Sequence, residues 1–227
     1  MKRRQVAILI SGRGSNMAAL IAATRDENYP ATISLVISNR PEAPGLERAA
    51  AEGVATAVLD HRAFADRPSF DSGLRSLIEA SGAELVACAG YMRIMTPEFV
   101  DAYAGRMINI HPALLPLYRG LDTHARALAD GVRIHGCTVH FVTPEIDSGP
   151  IIAQAAVPVV PGDTPLTLAE RVNAAELKLF PAALAQVAAG RLWLENGRVV
   201  SRDGAAGIRR PLDPLFSPPL PEELAKP

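Results

Sequence analysis

Short apolar runs and helical patterns take turns along the first half of this chain, and that alternation restricts the fold more than any other feature. The runs are VAILIS (6–11), TISLVIS (32–38), TAVLD (56–60), ELVACAG (84–90) and MINIH (107–111). Between most of them lie segments with helical spacing, from Asn16 to Arg25, Gly45 to Glu52 and Phe70 to Ser81. Strands that alternate with helices build a parallel sheet wrapped on both faces. The runs are almost unbroken in Val, Ile, Leu and Ala, as strands covered on both sides should be. The expectation is an α/β fold with a mostly parallel twisted sheet and flanking helices.

After His111 the rhythm changes. A Pro- and Gly-containing loop, PALLPLYRGLDTH (112–124), leads to a short helix and then to HGCTVHFVT (135–143) and PIIAQAAVPVV (150–160). These two runs, joined by the turn PEIDSG (144–149), are expected to form an antiparallel pair. A long helix follows from about Thr164 to Ala189, with a bend near Pro181. RLWLENGRVVS (191–201) reads as a hairpin turning at Asn196-Gly197, and the proline-rich end (211–227) as a mobile tail.

Bulk properties exclude several function classes. The 227 residues are 48% hydrophobic and carry a formal net charge of -1, so no global basic field favours nucleic acid or a membrane surface. Any substrate phosphate must be held locally. Cys88 and Cys137 sit in apolar stretches without a C-x-x-C partner and read as buried free thiols. The start MKRRQ precedes an apolar run of only six residues, Val6 to Ser11, too short for a secretory signal or a span. A cytoplasmic protein is expected.

Three places carry chemistry. SGRGSN (11–16) falls where the first strand hands over to the first helix. Glycines there allow a tight turn, and the exposed N–H groups of the helix start favour an anion. The dinucleotide fingerprint is not met: Met17 occupies the third glycine position, the second strand ends in SNR without an acid, and the lysine of a P-loop is missing. A monophosphate fits better than a dinucleotide. A plain turn with Ser15 capping the helix is an equal reading on local grounds.

Asn109 and His111 are two apart in MINIH, so they project to one face, and Pro112 ends the strand beside them. Open α/β sheets hold ligands at that end. The amide can donate to an oxygen gaining charge, and the imidazole can move a proton near neutral pH. Asp147 lies in turn chemistry of its own, D-S-G-P, and matters only if it meets His111, where it would favour the charged ring.

His111, His124, His135 and His140 do not argue for a metal, since His135 and His140 are five apart on one strand and face opposite sides. Thr138 and His140 share the more polar face and can line a pocket. GRGSN is not G-x-S-x-G, so a serine hydrolase is disfavoured.

ISGRGSN, AGYMRIM, NIHPALLP, HGCTVHFVTPEIDSGPIIAQ and the helix around Glu176 together resemble the phosphoribosylglycinamide formyltransferase family, the folate-dependent glycinamide ribonucleotide transformylases. The resemblance covers roughly Val6 to Trp193. It implies a Rossmann-like fold in a single domain (1–195), with a nucleotide-binding half (about 1–105) and a catalytic, folate-binding half (about 106–195). The hairpin (196–210) and the tail (211–227) would follow.

It also implies direct attack of the glycinamide ribonucleotide amine on the formyl carbon of 10-formyltetrahydrofolate, without a metal. Asn109 would bind the formyl oxygen, His111 would be the protonated partner of the oxyanion, and Asp147 would keep His111 charged. Gly14, Ser15 and Asn16 would cradle the phosphate, and Glu176 would hold the ribose hydroxyls. Met92, Arg93, Ile94 and Met95 would form the folate wall, with Arg67 in AFADRPSFD as a further folate contact. Read without the family, Met92 to Met95 are core packing. Arg13 stands where many relatives carry a smaller polar residue. The partners implied are small molecules, and the assembly a monomer or homodimer. A formyl-folate hydrolase, or a transferase for another amine, is the neighbouring alternative.

Overall fold

The alternating runs do form one sheet. The computed structural model describes residues 3–202. Strands β1 (Arg4–Ile10), β2 (Ala31–Ser38), β3 (Thr56–Val58), β4 (Leu85–Cys88) and β5 (Met107–His111) pair in parallel. Strands β6 (Ile134–Phe141) and β7 (Ile151–Pro158) extend the sheet antiparallel, giving the order β3-β2-β1-β4-β5-β6-β7. The expected antiparallel pair is β6 and β7. The antiparallel join of β5 to β6 had no signal in the sequence, because it depends on the path of the loop between them.

Around the sheet lie α1 (Ser15–Ala23), α2 (Pro44–Ala51), α3 (Arg67–Ala80), α4 (Pro97–Ala102), α5 (Thr123–Ala129) and α6 (Pro165–Ala188). Successive side chains of a strand point to opposite faces, so β1 feeds two cores at once. Val6, Ile8 and Ile10 pack with Leu20, Phe141, Phe180 and Leu184 on the α1 and α6 side. Ala7 and Leu9 pack with Phe70, Leu74 and Ile78 of α3 on the other. All five residues of β1 from Val6 to Ile10 are fully buried. Burying one such Leu, Ile or Phe side chain contributes ~1.5–3 kcal/mol.

Caps set the helix bounds. Asp66 accepts from Ser69 N (2.8 Å) and starts α3 ahead of its first apolar residue. Thr96 accepts from Phe99 N (3.3 Å) and starts α4, a helix too short to show a period and therefore not read from the sequence. Helix α6 continues through Pro181, whose carbonyl accepts from the Tyr29 hydroxyl (2.7 Å).

Strands β8 (Leu192–Glu195) and β9 (Arg198–Ser201) form the hairpin, with Asn196 and Gly197 both at positive φ, as a two-residue turn requires. A boundary at 195/196 would cut that hairpin in two, so the expected division there is corrected. The tail at 211–227 lies outside the described residues. Among those residues no helix is long and apolar enough to cross a membrane.

The sheet order reverses beside β1: the chain adds β2 and β3 on one side and β4 and β5 on the other. A crevice opens at such a switch, outside the carboxyl ends of the strands.

Candidate active site

A cavity of about 920 Å³ occupies that position, within the usual size range for small-molecule sites. Asn109, His111, His140 and Asp147 all line it. Strand pairing explains the first contact. In the antiparallel register Asn109 lies opposite His140, and the Asn109 amide nitrogen is 3.1 Å from His140 Nε2. His140 Nδ1 is 2.9 Å from the Phe141 carbonyl, which can only accept, so Nδ1 donates. The neutral ring then has Nε2 free to accept one Asn109 N–H. The second N–H of that amide is left for a ligand.

His111 is buried at the end of β5. Its Nε2 is 2.9 Å from the Tyr118 carbonyl and its Nδ1 is 3.3 Å from Asp147 Oδ2. Both ring nitrogens face oxygen acceptors, an arrangement that a ring with an N–H on each nitrogen satisfies.

Asp147 comes from the β6–β7 turn. Its backbone is left-handed (φ 47°), a conformation Asp tolerates better than most residues. Two residues on, a Cβ on Gly149 would lie 1.7 Å from the Phe141 carbonyl oxygen, so only glycine lets the turn close. The Asp147 carboxylate also accepts from Gly120 N (2.9 Å) and lies 3.7 Å from His140 Nε2. Burial, the largest single influence, raises its pKa. The Gly120 hydrogen bond and the neighbouring His140 and His111 rings together outweigh that, and the net direction is down.

The turn at 11–16 differs from the capping expectation. Gly14, at φ 70°, is the N-cap, Ser15 is the first helical residue, and no side chain caps the helix. The Gly14 Cα also packs against Gly45, where a Cβ on Gly45 would lie 2.9 Å from the Gly12 carbonyl oxygen and 2.6 Å from the Ile10 side chain. The first N–H groups of α1 are thus left without a side-chain cap. Beside them, Asn16 Nδ2 donates to Glu176 Oε2 (2.9 Å) across 160 residues of sequence, and both side chains are buried. Asn16 Oδ1 is buried with no partner. Asn173 Nδ2 donates to the same Glu176 oxygen (2.9 Å) and reaches Ser15 Oγ (3.5 Å). Asn173 was not read from the sequence, although its place one helical turn before Glu176 was a signal for it.

Met92, Arg93, Ile94 and Met95 follow β4 and line the cavity. Met92 and Ile94 are 62% and 47% exposed, which overturns core packing for those two, whereas Met95 packs against the α3-side core. Leu121 and Ile146 add further exposed apolar surface to the rim. Arg93 stacks its guanidinium 4.4 Å from the Phe70 ring, and its Nε is buried without a partner.

Two other expectations fare differently. Thr138 is not among the residues that line this cavity: it is fully buried, donating to the Ala113 carbonyl (2.7 Å) and accepting from Leu115 N (3.0 Å), so it holds the 112–115 loop behind His111. Arg67 is the exposed first residue of α3 and is not among the cavity-lining residues. Arg13 is exposed as well.

His124 lines the cavity, and its ring lies 5.3 Å from that of His135 behind it. Burial lowers both pKa values, His135 to about 4. Burial pushes the Cys88 thiol up to about 12, so it carries no thiolate near neutrality. Among the described residues no group of three His, Cys, Asp or Glu is placed to hold a metal ion.

An amide, an imidazole and a carboxylate thus meet in a crevice at the carboxyl end of the sheet, and a family model for formyl transferases matches residues 4–184. The chain belongs to the formyl transferase family. It is 43% identical to the phosphoribosylglycinamide formyltransferase of Escherichia coli K12, over 88% of this chain and 98% of that protein. It is 48% identical to the human trifunctional purine biosynthetic protein adenosine-3, over 87% of this chain but 20% of that one, so it spans about a fifth of that longer relative. A crystal structure of glycinamide ribonucleotide transformylase 1 from Symbiobacterium toebii matches with a TM-score of 0.85 and 43% identity, over 88% of this chain and 94% of that one.

Proposed function

We propose that this protein transfers the formyl group of 10-formyltetrahydrofolate to the amine of glycinamide ribonucleotide. The observation that carries the reading is the meeting of Asn109, His111 and Asp147 in one cavity. The names of the relatives above support formyl transfer and the glycinamide ribonucleotide acceptor, and the folate donor is what the family resemblance implies.

In this reading the phosphate lies on the uncapped N–H groups of Gly14, Ser15 and Asn16, where the helix dipole favours an anion. Glu176, held by Asn16 and Asn173, takes the ribose hydroxyls. The pteridine and aminobenzoyl rings lie against the apolar rim of Met92, Ile94, Leu121 and Ile146, with Arg93 beside them. Arg67, outside that lining, would be reached only by the far end of the folate.

The amine lone pair attacks the formyl carbon, and the carbonyl oxygen becomes an oxyanion. The free N–H of Asn109 and an N–H of His111 stabilise it. A preorganised donor of this kind is worth ~3 kcal/mol of barrier. Asp147 accepts the proton that the new ammonium must lose. That proton passes to N10 of the folate as the C–N10 bond breaks, releasing tetrahydrofolate and the formylated amide. His111 Nε2 now faces the Tyr118 carbonyl, so donation to the oxyanion requires that hydrogen bond to be given up.

The test is release of tetrahydrofolate, followed by the folate absorbance change, with and without glycinamide ribonucleotide. The reading expects release only when the amine is present. Release as fast without it would make the protein a formyl-folate hydrolase.

A further inference from the structure

Buried side chains from distant parts of the chain hold the wall of Met92 to Met95 at both its ends. At the start, Met92 N donates to Ser11 Oγ (2.8 Å), whose hydroxyl donates to the buried Asn39 side chain (2.6 Å). At the far end, Thr96 N donates to Asp71 Oδ2 (2.6 Å). Met95 packs against the core of Phe70, Leu74 and Ile78, so α3 backs the wall with both a carboxylate and an apolar face. With its two ends fixed, the segment cannot fold Met92 and Ile94 back into the core, and they stay turned to the cavity.

Asp71 is a buried charge that the proposed reaction does not use. It lies on α3, 3% exposed, and is not among the cavity-lining residues. Its Oδ1 is buried without a partner among the described residues. Burying a carboxylate is costly, and an apolar side chain would serve α3 at least as well if packing were its whole role. The neighbouring cation is Arg93, stacked on Phe70, the residue before Asp71. Burial is the main cause that raises the Tyr91 hydroxyl pKa; Cys88 and Asp71 raise it further and Arg93 lowers it, so both charges reach that group.

We propose that Asp71 is a positioning residue for the formyl-folate, its hydrogen bond to Thr96 N fixing the end of the wall against which the donor lies. This rests on the functional reading above. Asp71 lies behind the wall and meets no reacting atom, so its effect falls on donor binding and leaves the chemical step alone.

The experiment compares Asp71→Leu and Asp71→Asn with the unaltered protein in formyl transfer from 10-formyltetrahydrofolate to glycinamide ribonucleotide. Leucine removes the acceptor, whereas asparagine keeps a carbonyl oxygen for Thr96 N. KM for the donor should rise ~10-fold in Asp71→Leu and return to within about threefold of the original in Asp71→Asn. KM for glycinamide ribonucleotide and kcat should stay within about twofold in both. If Asp71→Leu does not fold, Thr96→Pro deletes the same hydrogen bond from the other side, at a φ of -70° that proline adopts, and carries the same expectation. An unchanged donor KM, an equal rise for both substrates, a fall in kcat, or Asp71→Asn as impaired as Asp71→Leu would each overturn the assignment. Absence of formyl transfer by the unaltered protein would instead defeat the functional reading from which the assignment starts.

Discussion

His140 shows how one side chain can matter without touching the reacting atoms. Its Nε2 accepts from the Asn109 amide, which fixes the direction of the remaining N–H. Replacing His140 with Ala removes that acceptor and lets the amide rotate. We expect kcat to fall at least ~10-fold with KM nearly unchanged, since small misplacement of a catalytic donor is costly. Steady-state kinetics would show it, and an unchanged kcat would mean that Asn109 is oriented by something else.

His135 belongs to the same scale. Burial holds its pKa near 4 against an ordinary 6.5, so the folded state prefers the neutral ring. The stability this secures is complete above about pH 6.5 and declines as pH falls towards 4, by ~3 kcal/mol at most. His135→Gln should flatten the fall in melting temperature over that interval; an unaltered slope would assign the acid sensitivity elsewhere. Single residues were unevenly legible. Asn109 and His111 announce themselves by a spacing of two before a proline.

Two short elements build most of the site, and each depends on backbone that a side chain would spoil. In the β6–β7 turn, Gly149→Ala would press a methyl into the Phe141 carbonyl. The turn must shift, and Asp147 with it. We expect a loss of ~3 kcal/mol, hence a melting temperature lower by ~6–12 °C, together with loss of turnover. A variant that melts normally and turns over normally would contradict this account of the turn.

The 117–124 segment is the other element. It places Tyr118, Gly120 and Asp122 at positive φ, two of them not glycine, which is a strained arrangement. It reaches the site through the Tyr118 carbonyl and Gly120 N. Binding of a formyl-folate analogue should slow hydrogen exchange at its amides, and exchange unaffected by the analogue would separate the segment from the site. Elements were more legible than their contacts. The long strands and helices show their period, whereas α4 is too short to have one. The partners of Thr138 were not legible, because they lie in a loop whose path no local pattern encodes.

At the scale of the whole molecule, the two faces of β1 unite separate cores, and the reversal of strand order beside it opens the crevice. The parallel sheet covered on both faces was legible in the alternating runs; the order of its strands, and with it the place of the crevice, was not. The junction of β5 with β6 was not, yet it sets His140 against Asn109 and carries the β6–β7 turn back over His111. Long-range meetings such as Asn16 with Glu176 have the same origin: the sequence marks each residue, and only the assembled sheet brings them together.

The central claim is that the Asp147 carboxylate serves the chemical step and not the binding of substrates. Asp147→Asn keeps the shape and the Gly120 hydrogen bond while removing the charge. Binding of a formyl-folate analogue measured beside turnover should show affinity within a few-fold of the original and kcat lower by ~100-fold or more. Turnover that survives the substitution, or binding that is lost with it, would contradict the account.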